Sequence, residues 1–594
     1  MPGTWFGLEI AKRGTMVHRK ALDVTGHNIA NASTPGYSRQ EAVIAPTTPW
    51  ARPDLSTKML PGQLGTGSDV TEVRRIRDYY LDVQSRHSGS YEGYWEKKLD
   101  MAKRMETVFL EPDGRGLQAT LLDFFNDWQD LNNNPQDPGV KKAVMESGDE
   151  LAAIFRQMHS QLATINESVN GSLQYEVDQV NQLVTKIADL SNTIIHVIRN
   201  GAQPNDLLDE RDNLLDQLAK YGHINVTTQD NGMIEVRFIE SAAILLKNDG
   251  YDKVVASKVN LVTGAGALGN ENHLSVDGMD VINLTALADY YSKAPEGAGK
   301  GSILGQESAR LENEAVSLKL DRLAASIIEN INREAGVPRP GDVYPPPAFF
   351  QGTSAADITV NEVIKADPEK IIGENALAVA RLRSTPINTL DGQISLRQGI
   401  TFTNNDQMKF TVTLPDGTSK DIDLGLDSGL TVSTLYSPEE IKAAIQNALD
   451  KKFGKDEIRV GLDEDARLSF SLKKGDGKFE IASKKGNDVL FGGNAIKDDP
   501  DITVISTTVL NTTFENYFQG IVAQVGAAVD HHDKMLENQQ AIGQQVEALR
   551  QSVSGVSVDE ELTKVIQFQY GYQACARMIA IQDEMLDYLI NRIR

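Results

Sequence analysis

Residues 8–36 read LEIAKRGTMVHRKALDVTGHNIANASTPG. Small and apolar side chains recur at Leu8, Ala11, Thr15, His18, Leu22, Thr25, Ile29 and Ala32, and this 3-4-3-4 spacing predicts a helix with a shallow seam. Ser33-Thr34-Pro35-Gly36 then stops it. The far end of the chain answers this stretch. Leu562, Val565, Gln569, Tyr572, Ala576, Ile579, Asp583, Leu586, Ile590 and Ile593 keep a heptad spacing, as do Ile521, Val525, Ala528, His532, Met535, Gln539, Ile542, Val546, Leu549 and Val553 just before them. A stripe of this kind needs a helix to cover it. The simplest packing pairs the two ends of the chain, so 1–36 with 556–594 is expected to form a terminal coiled-coil domain.

Between the ends, periodicity changes twice. Residues 78–110, 116–133 and 205–221 read as helices, and Leu173, Val177, Val180, Val184, Ile187, Ser191, Ile194 and Ile198 form a long stripe ending at Asn200-Gly201. Residues 307–335 are helical again. Strand alternation governs 224–239, with a turn at Asp230-Asn231-Gly232, and 401–424, with a turn at Leu414-Pro415-Asp416-Gly417. A further hairpin is expected at Gly475-Asp476-Gly477. Ser437-Pro438-Glu439-Glu440 carries a cap, a first-turn proline and first-turn acids, and so opens a helix. The expected class is α+β multidomain: long terminal helices, a helical bundle, and β-rich modules inserted mid-chain. The expected division is 37–222 with 301–336 and 505–555 as the helical domain, 223–300 as one β-rich module, 337–395 as linker including a proline-rich run from Pro338 to Pro347, and 396–504 as a second β-rich module.

Composition narrows the function. A length of 594 residues fits roughly four domains. Apolar residues make up 40%, enough for sizeable cores. The net charge of −24 repels phosphate backbones and anionic lipid, which argues against nucleic-acid and membrane partners. A single cysteine, Cys575, excludes an internal disulfide and any cysteine-based zinc site. No stretch reaches the roughly 18 apolar residues of a membrane span. Glu9, Lys12 and Arg13 interrupt the place where a secretory signal would be apolar, so any export is expected to proceed without a cleaved signal peptide.

Motifs for chemistry fail on inspection. Gly264-Ala265-Gly266-Ala267-Leu268-Gly269 has dinucleotide spacing, but strand and turn residues follow it where a helix start is needed. Gly297-Ala298-Gly299-Lys300 lacks the glycine and hydroxyl of a phosphate loop, since Ala294 and Gly301 stand there. Asp530-His531-His532-Asp533 offers adjacent histidines that point roughly 100° apart on a helix and chelate poorly. His532 is expected at a helix interface, the others outward. Cys575 lies beside the seam with no group to activate it. We therefore expect no catalytic residues, no cofactor and no metal, and the chain is expected not to be an enzyme.

Residues 21–40, from Ala21-Leu22-Asp23 through Asn28-Ile29-Ala30-Asn31 and Thr34-Pro35-Gly36-Tyr37 to Ser38-Arg39-Gln40, resemble the N-terminal signature of flagellar rod, hook and hook-associated proteins. Phe6 to Gly14 and the Tyr37–Gln40 ending are similar to the hook-associated branch. Val73 to Leu81, Asp209 to Asp216, Ser554 to Leu562 and Gln569 to Arg577 resemble further stretches of the family. Ser557 and Cys575 depart from its usual residues, as does Lys141-Lys142. Residues 408–483 are similar, more weakly, to a β-rich insert of hook-associated proteins. The resemblance implies a structural component of the flagellum that joins hook to filament within the axial tube. It implies self-association into a ring, hook protein and a second junction protein or filament subunit as neighbours, an export chaperone at the C-terminal region, and an extracellular location. The alternatives are a hook or rod protein, or an axial protein with an enzymatic insert. The expected assembly residues are Leu8, Leu22, Asn28, Ile29, Asn31, Pro35, Tyr37, Leu562, Tyr572, Ala576, Ile579, Leu586 and Ile593.

Overall fold

The computed structural model describes residues 5–50, 65–109, 116–238, 243–251, 253–263, 271–293, 300–336, 347–462, 466–484, 488–492, 494–495 and 502–591. The glycine runs at 264–269 and 297–299, residues 338–346 of the proline-rich run, and Ile593 lie outside them. The helices, in chain order, are α1 Phe6–Ala30, α2 Tyr79–Phe109, α3 Leu117–Asn133, α4 Pro138–Arg199, α5 Asn205–Tyr221, α6 Leu284–Lys293, α7 Ser302–Ala335, α8 Glu362–Ala366, α9 Ala376–Arg381, α10 Leu424–Ser428, α11 Pro438–Phe453, α12 Phe514–Ser554 and α13 Val558–Asn591. The chain folds into two compact units. One comprises Met1–Met101, Val169–Leu311 and His531–Arg594; the other comprises Ala102–Ser168 and Glu312–Asp530.

In the first unit α1 runs antiparallel to α13 and also rests on the paired strands Gln40–Pro46 and Ser68–Arg75. Glycine lets the two helices close up. A Cβ added at Gly14 would come 2.6 Å from Cys575 Sγ, and one added at Gly571 would come 2.5 Å from the His18 ring. Two small antiparallel sheets follow α5. The first pairs Ile224–Thr228, Ile234–Phe238, Ile244–Asn248 and Val254–Ala256 in chain order; the second pairs Val259–Thr263, Asn272–Val276 and Met279–Asn283. Helix α4 holds both through side-chain amides. Asn181 takes the N–H and C=O of Val259 at 2.8 Å each, and Asn192 takes those of Val254 at 2.9 and 3.0 Å. Strand-end backbone groups are thereby satisfied without a further strand.

The second unit has two cores. An aromatic one gathers Phe124, Trp128, Phe349 and Phe350, with the Trp128–Phe349 and Phe349–Phe350 rings 5.4 and 4.8 Å apart. The other lies inside an α/β module between Leu390 and Val509, where Phe402, Phe410, Ile441, Ile445, Phe470, Phe479 and Ile505 pack together. Its five-stranded sheet runs Ser419–Asp423, Lys409–Thr413, Gly477–Lys484, Ile502–Val509, Asn494–Ala495; a three-stranded sheet runs Thr389–Asp391, Leu468–Leu472, Ile458–Leu462. Helix α11 starts as its residues predict. Ser437 and Glu440 form a reciprocal capping box, Pro438 sits in the first turn, and Gly454 at φ 109° ends it.

One expected hairpin is absent. Leu468–Leu472 and Gly477–Lys484 do not pair across Gly475-Asp476-Gly477; they belong to different sheets, so the glycines make a crossover. Both glycines have positive φ, 94° and 132°. Asp476 accepts from Arg322 at 2.9 Å and from Tyr517 at 2.5 Å, which fixes the crossover to α7 and α12 within the same unit. Alternation identifies a strand but not its partner.

Candidate functional site

The α1–α13 contact is held at one end by a saturated amide. Asn28 is 1% exposed. Its Nδ2 donates to Gln40 O and to Glu561 Oε2, both at 2.9 Å, while its Oδ1 accepts from Gln40 N at 2.9 Å and from the Tyr37 hydroxyl at 2.8 Å. Both donors and both acceptor positions are used, so this asparagine is paired entirely within its own chain. Glu561 is also 1% exposed and takes Lys564 at 2.6 Å. Its position in the first turn of α13 adds the favourable pull of the helix N-terminus. Burial, with the negative charges of Asp206, Asp209 and Glu561, pushes the Tyr37 hydroxyl above the usual tyrosine range.

A buried ionic lattice extends from this anchor. Ser38 donates through N and Oγ to Asp209 at 2.9 and 2.7 Å. Arg75 bridges Asp209 and Asp212 at 2.7 and 2.9 Å, Arg77 joins Asp82 at 2.6 Å and Asp212 at 3.1 Å, and Arg86 reaches Asp216 at 2.8 Å. Arg550, near the end of α12, meets Asp216 at 2.6 Å. Burial raises the Asp212 pKa, but Arg77, Arg75 and Arg86 outweigh it and hold the carboxyl below the usual range. Arg211 donates to Gly232 O at 2.9 Å, and burial pushes its pKa down to about 10. Such a lattice fixes geometry more than it adds stability, because each charge has been taken out of water. Most of its members lie in Val73–Leu81 and Asp209–Asp216, which resemble stretches of the family, but nothing in the sequence pairs the two.

The expected assembly residues fall into two groups. Leu8, Leu22, Ile29, Asn31, Tyr37, Ala576, Ile579 and Leu586 are half-buried, Asn28 is buried, and Pro35, Leu562 and Tyr572 are exposed. Ile593 lies outside the described residues. The line of α13 that α1 covers is Glu561, Val565, Phe568, Gly571, Cys575, Ile579, Gln582 and Leu586, displaced from the expected seam at several positions. A second line stays bare: Leu562, Ile566, Tyr570, Met578, Ile581, Met585 and Tyr588 are each 48–68% exposed. Steps of three and four, with one of eight between Tyr570 and Met578, place them along one side of a 34-residue helix.

The histidines and the cysteine serve packing. His532 is buried with its ring 5.6 Å from Trp95, and His531 is exposed. Burial first, then the charges of Lys98 and His531, push His532 down to about 3. His223 is likewise pushed to about 3 by burial, Lys300 and His87, and its Nε2 lies 2.8 Å from His87 Nε2. Among the described residues no group of three or more His, Cys, Asp or Glu could hold a metal ion, and no described helix is long and apolar enough to cross a membrane.

Comparison with known proteins matches these segments. Residues 102–335 fit the profile described as flagellar hook-associated protein FlgK helical domain, 534–592 that of the flagellar basal body rod FlgEFG protein C-terminal region, and 8–37 that of the flagella basal body rod protein. The chain thus belongs to the family of flagellar rod, hook and hook-associated proteins, and is an axial structural component of the flagellum. Its full-length relatives narrow the branch. It is 27% identical to flagellar hook-associated protein 1 of Bacillus subtilis (strain 168), across 100% of this chain and 99% of the relative. It is 24% identical to the protein of that name from Escherichia coli (strain K12), across 98% of each. Among solved structures, the flagellar hook junction protein FlgK from Burkholderia pseudomallei matches 80% of this chain and 100% of its own at 13% identity, with a TM-score of 0.45.

Proposed function

We propose that this chain joins hook to filament, polymerising through its terminal helices as a ring within the axial tube. The bare apolar line from Leu562 to Tyr588 carries the reading. A face of that length in water is unfavourable by roughly 25 cal/mol per Å² of apolar surface, and neighbouring subunits would remove it. Likeness over the whole chain to proteins named hook-associated protein 1 supports the same assignment. Leu562 and Tyr572 are then contacts between subunits. Leu8, Ile579 and Leu586 serve the helix pair and its neighbours together. Asn28 sets the pair's geometry from within.

On this reading the chain is not an enzyme. Its neighbours are hook protein on one side and a second junction protein or filament subunit on the other, it is exported without a cleaved signal, and a chaperone meets the C-terminal region before export. The terminal pair is one domain, the helices between form the wall, and the two β-rich modules face outward. The test is a deletion viewed by electron microscopy. Hooks persist, filaments are lost, and the cloned chain restores them. Normal filaments in the deleted cells would refute the proposal.

A further inference from the structure

Helix α1, the strand Gln40–Pro46 and the first turns of α13 border a groove of about 410 Å³, with Ala21, Val24, Val43, Ile44 and Phe568 among its apolar walls. Ile44 is 41% exposed, so apolar surface there meets water. Arg74 stands on the border in a surface pair with Glu41 at 3.0 Å, a weak kind of contact. The α13 residues that border the groove are Glu561, Lys564, Gln567 and Phe568; the bare ones at the same level are Leu562, Ile566 and Tyr570. At about 100° per residue the two sets centre roughly 170° apart around the helix. Groove and bare line therefore occupy opposite sides of the same turns, and a chain cannot lay its own line in its own groove.

We propose that Leu562, Ile566 and Tyr570 of one copy lie in the groove beside Ile44 of the copy next to it around the ring. The proposal rests on the assembly reading above and names the surface that covers the first part of the bare line. Two unlike faces on opposite sides of a subunit join each copy to the next and close as a wide ring, whereas a symmetric pair would need one face that meets itself. Both faces sit at one level of α13, so a rotation about an axis along the helices brings them together with no shift along it. The ends of the terminal pair are left for the different proteins above and below. Charge agrees with the match. Copies carrying a net charge of −24 repel one another, so a lasting contact gains from a cation on the receiving side. Arg74 supplies the cation, and Asp559, exposed at the head of the bare line, supplies the acid. Seating the line also removes apolar surface from water.

The test uses full-length chain in cells deleted for their own copy. Ile44→Cys with Ile566→Cys, treated in intact flagella with a short bis-maleimide, should link the chain to itself as a ladder of multimers. Ile44 and Ile566 are 41% and 54% exposed, so the thermal melt should be unchanged. Either change alone should leave monomer, and so should the double variant in dilute solution. Monomer from the double variant in flagella that bear filaments overturns the proposal. So does linkage to a different flagellar protein, which would make that protein the occupant, or linkage within one chain. A charge swap gives a second readout. Arg74→Glu and Asp559→Arg should each lower filament number about tenfold or more with secreted amount unchanged, and the two together should restore it. Wild-type filament number in both single variants, no restoration in the pair, or a Glu41→Gln variant that reproduces the loss also overturns it. If the wild-type chain itself restores no filaments, the assembly reading has failed and takes the proposal with it.

Discussion

The α/β module between Leu390 and Val509 and the α1–α13 pair are built on opposite terms. The module closes on itself, with Phe402, Val412, Phe470 and Phe479 all buried and strands paired on both sides of Gly477–Lys484. The helix pair closes on polar and small groups. Among the described side chains of α13 the buried one is a carboxylate, Glu561, and glycines meet cysteine and histidine across the contact. A module of the first kind has its apolar core covered by its own strands and helix. A pair of the second kind has specified geometry but unsatisfied surface, and so depends on neighbours.

The largest effect that would sharpen this contrast is Phe470→Ala. Removing a ring that is fully buried should cost the module about 3–5 kcal/mol and lower its melting step, with filament attachment retained. Loss of filaments from a secreted, otherwise folded variant would break the separation.

Acid should divide the molecule the other way. His223 and His532 have folded pKa values pushed to about 3 against an ordinary 6.5, so both are neutral when folded. Their unfolded forms bind protons first. The stability that rests on this neutrality is complete above pH 6.5 and falls away as pH drops toward 3, by a few kcal/mol in all. Residues 388–510 contain no histidine. Melts followed from pH 7 to pH 4 should show the helical unit weakening before the module, and His532→Phe should flatten the loss. A module that melts first on acidification would contradict this.

A smaller effect belongs to Asn28→Ala. It leaves the backbone N–H and C=O of Gln40 without their side-chain partner and removes one hydrogen bond each from Glu561 and the Tyr37 hydroxyl, and should cost about 1–3 kcal/mol. Hydrogen exchange should speed up along α1 and α13 while the module is unaffected. The smallest effect on the isolated chain is expected from Leu586→Asp, since Leu586 is only half-buried: under about 1 kcal/mol, yet with filaments lost. A melt shifted by many degrees would mean that this helix packs chiefly within its own subunit.

Much of the helical frame was legible. The stops at Asn200-Gly201 and Ser554-Gly555 fall where α4 and α12 end, and the cap, proline and acids of Ser437-Pro438-Glu439-Glu440 open α11 as expected; the reciprocal bonding of Ser437 and Glu440 is what the structure adds. The expected α12 seam holds at Ile521, Val525, His532 and Val546, which are buried, and drifts aside toward the end of the helix. In α12, Ile542 and Leu549 are exposed, while Gln539, Gly543, Val546 and Arg550 are the covered line. A heptad slips by about 20° per repeat on a straight helix, which is enough to move a seam aside over 41 residues. The ionic lattice escaped for a different reason. Arg74-Arg75-Ile76-Arg77 and Asp209-Glu210-Arg211-Asp212 are complementary in charge but lie more than 130 residues apart, and no local pattern says that they meet. The crossover at Gly475-Asp476-Gly477 failed likewise, because turn residues do not state which sheet comes next.

The bond between Asn28 and Glu561 spans 533 positions of sequence. A ribosome adding roughly 5–20 residues per second needs about half a minute to two minutes to cover that distance. Helix α1 therefore waits for that span of chain before α13 can meet it. Throughout that interval α1, with its line Ala11, Val17, Ala21 and Val24, has the strands Gln40–Pro46 and Ser68–Arg75 to rest on but not α13, and Asn28 lacks Glu561. The time at which the terminal pair can exist is set by synthesis of the opposite end, and a chain truncated before Glu561 has an α1 that never acquires its cover.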